Sequence, residues 1–112
     1  MPELKKYKMF IDGEWVDSES KKTFETLNPE NNEPWAVAPE ASAKDVDRAV
    51  KAAQKAFEGE WPKLLPRDRA KFLRAIADQL RKNAEMLGEI ETIDTGKLFR
   101  ETKQQATYIA EY

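Results

Sequence analysis

A mixed α+β chain, with strands first and helices after them, is the fold class this sequence predicts. Two observations carry it. Asp12-Gly13 separates two extended runs with the dipeptide favoured in tight hairpin turns. From Ser42 onward, apolar residues recur at the 3.6-residue period of a helix face.

The strand region spans about residues 7–38. Tyr7-Lys-Met-Phe-Ile11 leads into Asp12-Gly13, and Glu14-Trp-Val16 resumes an extended pattern beyond it. Asp17-Ser-Glu-Ser-Lys-Lys22 is polar and turn-like. Thr23-Phe-Glu-Thr-Leu27 alternates again, with Phe24 on one face and Thr23, Glu25 and Leu27 on the other. Asn28-Pro29-Glu-Asn-Asn-Glu-Pro34 reads as a turn, because Asn bonds its own backbone ahead and Pro fixes φ. Trp35-Ala-Val-Ala38 is a fourth extended stretch, closed by Pro39.

Four helices are expected, over about 42–58, 66–82, 84–94 and 98–112. Ser42 with Asp45 three residues on resembles a capping box at the start of the first. Val46, Ala49, Val50, Ala53 and Phe57 then share one face, and Gly59 supplies the stop. Trp61-Pro62 and Leu65-Pro66 form the connector, with Pro66 suited to a first helical position. Leu73, Ile76, Ala77 and Leu80 define the second stripe. The third runs from about Ala84 through Leu87 and Ile90 to Ile93, ending where Gly96 takes a left-handed cap. In the fourth, Ala106, Ile109 and Ala110 share a face, and neither Gly nor Pro closes the run before Tyr112. A helix without a local stop signal is expected to belong to something larger. No internal domain boundary is expected within the 112 residues.

Composition excludes much chemistry. The chain has no Cys and no His. It therefore supplies no thiolate nucleophile, disulfide, imidazole proton shuttle or His/Cys metal ligand. The net charge of −2, from 19 basic and 21 acidic residues intermixed, leaves no basic footprint for nucleic acid or an anionic membrane. Lys5-Lys6-Tyr7-Lys8 is the one basic cluster, read as solvating the terminus. Neither a signal-peptide apolar region nor a run long enough to span a membrane is present, so a cytoplasmic location is expected.

Three motif readings fail on inspection. Thr95-Gly96-Lys97 is not a phosphate loop, since Glu91 stands where a Gly is required and Leu98 where Ser or Thr is. The acid pairs Asp45 with Asp47, Glu89 with Glu91, and Asp12 with Asp17 read as solvated helix faces or turns rather than an acid–base couple. Trp15, Trp35, Trp61, Phe24, Phe57 and Phe72 lack the basic groove of a base-stacking platform, so burial against helices is expected of them. Spacing alone yields no catalytic constellation.

An ordered set of segments nevertheless resembles the N-terminal region of NAD(P)-dependent aldehyde dehydrogenases, betaine aldehyde dehydrogenases among them. The segments are Phe10-Ile-Asp-Gly-Glu-Trp-Val16, Lys22-Thr-Phe-Glu-Thr-Leu-Asn-Pro29 and Pro39-Glu-Ala-Ser-Ala-Lys-Asp-Val-Asp-Arg-Ala-Val50. Ala52-Ala-Gln-Lys-Ala-Phe57, Trp61, Arg67-Asp-Arg-Ala70 and Glu91-Thr-Ile-Asp-Thr-Gly-Lys97 continue the series. The resemblance implies an α/β, Rossmann-like parent fold in place of the α+β reading, with this chain a partial segment of its cofactor-binding domain. It implies oxidation of an aldehyde to a carboxylic acid with NAD or NADP, by a Cys nucleophile, a Glu base and an Asn oxyanion donor. None of those three matches a position here, so neither catalysis nor cofactor binding is expected of this chain alone.

The resemblance further implies partners: the remainder of an aldehyde dehydrogenase chain, in a homodimer or homotetramer. It also implies a monovalent cation, K⁺ or Na⁺, whose ligands would include the carbonyls of Thr26 and Leu27 and the carboxylate of Asp94. Hard oxygen donors with a single carboxylate suit such an ion. The alternative for Asp94 is bonding within its own turn. The alternative for the whole chain is a free-standing, non-catalytic interaction module of the same family.

Overall fold

The computed structural model describes residues 3–112, which form five short strands and four helices in two compact units. One unit runs up to Leu27 and adds Pro34–Lys63. The other combines Asn28–Glu33 with Leu64–Tyr112.

In the first unit, β2 (Met9–Ile11) and β3 (Glu14–Val16) form an antiparallel hairpin in the register Met9↔Val16, Phe10↔Trp15, Ile11↔Glu14. Asp12 and Gly13 have φ of 52° and 80°, the paired positive values of the turn that Asp-Gly favours. Phe10 and Trp15 face each other with ring centroids 4.9 Å apart. The run expected to be one strand from Tyr7 is divided: β1 (Lys5–Lys6) ends before it and β2 begins after it. The lysines thus do more than solvate a terminus. They pair in parallel with β5 (Glu33–Pro39), Lys5 opposite Ala36 and Lys6 opposite Val37. Ala36 is fully buried. β4 (Thr23–Asn28) lies on the other side of β5, giving the order β1-β5-β4. Four residues link β4 to β5, too few for a crossover, so this pair is antiparallel. Pro34 joins the strand rather than the turn.

Helix α1 (Ala43–Glu58) completes this unit and packs on β2. Ser42 and Asp45 make the reciprocal capping box, and the Gly59 N–H donates to the Ala56 carbonyl at the other end. A single turn of 3₁₀ helix follows at Trp61–Lys63.

In the second unit, α2 (Pro66–Lys82) begins with Pro66 in its first turn, and the Arg69 guanidinium donates to the Leu64 carbonyl at 2.8 Å. Asn83 ends α2 and starts α3 (Ala84–Thr95). Gly96 caps α3 in the left-handed conformation, φ 76°. Helix α4 (Phe99–Ile109) packs mainly on α3. Its end lacks a capping residue in the local sequence, and α2 supplies the cap: Arg81 donates to the Ala110 carbonyl and to Glu111, both at 3.2 Å.

The buried apolar set among the described residues consists of Ala36, Ala84 and Ala110. By contrast the amphipathic stripes stand in solvent. Val46, Val50 and Phe57 of α1 and Phe72, Leu73 and Ile76 of α2 are all more than half exposed. Of the aromatic residues expected to be buried, Trp15, Phe24, Phe57, Trp61 and Phe72 are exposed, while Trp35 is half-buried, its ring edge-on to Tyr7 with centroids 6.1 Å apart. The total surface is 9021 Å². Two separate compact bodies of half the 12.9 kDa mass would together expose only about 7,600 Å². The excess is what bare amphipathic helices produce.

Candidate functional site

The carboxylate that the fold treats most specifically is Asp45. Sequence places it on a charged helix face beside Asp47, but the structure buries it to 1 % exposure. Its Oδ2 accepts from the Ser42 N–H at 2.8 Å, the Ser18 hydroxyl at 2.9 Å and the Ser42 hydroxyl at 3.0 Å. The Glu19 N–H donates to Oδ1 at 3.2 Å, and Arg48 stands 3.8 Å away. The Ser42 backbone N–H does most to hold the Asp45 carboxyl down to about 2, against the opposing pull of burial. The two serine hydroxyls and the Glu19 N–H add to the lowering. So firmly ionised a group has no proton to give near neutrality and little tendency to accept one. Asp45 is a structural anchor that ties the Asp17–Lys22 turn to the start of α1. The capping box was visible in sequence; the bond to Ser18, 27 residues away, was not.

Thr26 and Leu27 are consecutive residues of β4 in the first unit. Asp94 lies in the last turn of α3 in the second. Asp94 is an exposed acid at the negative end of its helix, in a last turn that carries no basic residue. The donor chemistry of both positions suits a hard monovalent cation. Among the described residues, no group of three or more His, Cys, Asp or Glu is gathered as a metal centre.

Next to Asp94 in sequence, the end of α3 and the 28–33 turn enclose a cleft of about 440 Å³ within the second unit. Asn28, Pro29 and Glu30 line it from the turn, and Thr92, Ile93 and Gly96 from the helix. The Glu30 N–H donates to the Asn28 side chain at 3.0 Å, and the Asn32 N–H to the Asn28 carbonyl at 2.7 Å. That is the self-bonding Asn turn the sequence suggests. A Cβ on residue 96 would stand 3.1 Å from Cγ of Pro29, so the glycine serves a close approach as well as a positive φ. The Asp-Thr-Gly-Lys segment is therefore a helix terminus shaped around Pro29, not a phosphate loop. Lys97 is engaged with Glu91 at 2.8 Å.

Comparison with known proteins accounts for the ordered segments. The aldehyde dehydrogenase family model matches residues 15–112. An aldehyde dehydrogenase of Aspergillus niger is 49% identical over 89 residues, 80% of this chain and 18% of the relative. The crystal structure of an NAD-dependent aldehyde dehydrogenase from Sinorhizobium meliloti superposes with a TM-score of 0.92 at 34% identity, over 96% of this chain and 22% of that one. A betaine aldehyde dehydrogenase from Staphylococcus aureus, solved in complex with NAD⁺, gives 0.85 at 38% identity, over 93% and 22%. The chain thus spans about a fifth of the length of the relatives it matches. Its strands and four helices have the aldehyde dehydrogenase fold of those neighbours, in small sheets rather than a complete Rossmann-like layer. Sequence order, helix positions and superposition agree, and the chain belongs to the aldehyde dehydrogenase family.

Proposed function

We propose that this chain is a framework segment of the cofactor-binding domain of an enzyme that oxidises an aldehyde to a carboxylic acid with NAD⁺ or NADP⁺. Both units belong to that one domain in this reading, and the remainder of the polypeptide brings the nucleophile, the base and the dinucleotide site. One observation carries the proposal: the helices hold the family's order while their apolar stripes lie bare. A free-standing interaction module would be expected to cover Val50, Phe57, Leu73 and Ile76 with its own residues, so their exposure favours the framework reading. A cytoplasmic homodimer or homotetramer completes it.

The test is a chimaera in which residues 15–112 replace the matching segment of the Staphylococcus aureus betaine aldehyde dehydrogenase. It is expected to fold and to reduce NAD⁺ in the presence of aldehyde, whereas the 112-residue chain alone gives no turnover. A chimaera that stays unfolded while its parent folds, or turnover by the isolated chain, would overturn the proposal.

The same reading includes a K⁺ or Na⁺ ion held by the carbonyls of Thr26 and Leu27 and by Asp94, with the other ligands drawn from the remaining polypeptide. The negative end of α3 supports it, since a cation there would offset the unfavourable placement of Asp94. Titrating the thermal midpoint of the chimaera with KCl against choline chloride tests the ion. A rise specific to KCl or NaCl that Asp94→Asn abolishes is expected. Identical midpoints in all three salts would remove the ion from the account.

A further inference from the structure

We draw no further inference here: the strongest candidate, the apolar groove between α2 and the start of α3 lined by Phe72, Ile76, Leu80, Met86 and Leu87, is an unpartnered helical face, and nothing in the structure shows what covers it.

Discussion

The hydroxyl of Thr102 on α4 donates to the backbone carbonyl of Gly88 on α3 at 2.9 Å, at a crossing so close that a Cβ on residue 88 would stand 2.8 Å from the Lys103 nitrogen. Thr92 joins the same hydroxyl at 2.9 Å. Gly88 brings the two backbones together, and Thr102, buried to 1 % exposure, satisfies its polar atom within the contact. Gly88→Ala removes a flexible residue from a helix interior, which by propensity alone would stabilise by roughly 0.5–1 kcal/mol. The overlap with backbone atoms that cannot swing aside reverses the sign. A net loss of about 1–3 kcal/mol is expected in urea unfolding of the 112-residue chain. Thr102→Val keeps the shape, loses the hydrogen bonds, and is expected to cost about 1 kcal/mol.

Asp45 predicts an acid-sensitive first unit. Its carboxyl is held at about 2 in the folded chain against an ordinary 3.8. A depressed folded-state value means the contribution is fully present above about pH 4 and is lost as the pH falls toward 2. Asp45→Asn is expected to lower the thermal midpoint at pH 7 and to flatten the decline between pH 4 and pH 2. Ser18→Ala should reproduce part of both effects. A variant with the wild-type slope over that interval would show that another group governs the acid limb.

Gly96 and Pro29 form a pair whose two contributions separate. Gly96→Ala meets a left-handed backbone and the Pro29 ring together, at an expected cost of about 1–2 kcal/mol. In a Pro29→Ala background the ring contact is gone and the conformational cost remains. The double-mutant cycle is therefore expected to give a coupling of about 0.5 kcal/mol or more. Strict additivity would mean that the turn moves away from α3 freely.

What was legible in the sequence was local. Ser42 with Asp45, Pro66 at a helix start, Gly96 at a helix end and Asp12-Gly13 in a turn each act within a few residues of themselves. All four stand where the pattern puts them. What escaped depends on distant partners. No local signal pairs Lys5-Lys6 with Ala36 and Val37, sends Ser18 to Asp45, or brings Arg81 to the end of α4. Gly88 reads as a mild helix weakener until Lys103 is set against it. Periodicity marked the apolar stripes correctly, but it cannot say whether the covering surface lies in the same 112 residues. Phe57, on the α1 stripe, is 69 % exposed within them. Thr26, Leu27 and Asp94 came from family resemblance and not from spacing, since two carbonyls and one carboxylate leave no compositional trace.

The most direct measurement compares one pair of substitutions in two settings. Leu73 and Ile76 are 63 % and 55 % exposed here. In the isolated chain, Leu73→Gln with Ile76→Gln is expected to change the urea midpoint little, within about 0.5 kcal/mol per site. In the chimaera with the Staphylococcus aureus enzyme, the same pair is expected to cost about 2 kcal/mol or more per site, as truncation of a buried core contact does. An equally small effect in both settings would contradict the claim that these helical faces are framework surfaces covered by the rest of an aldehyde dehydrogenase.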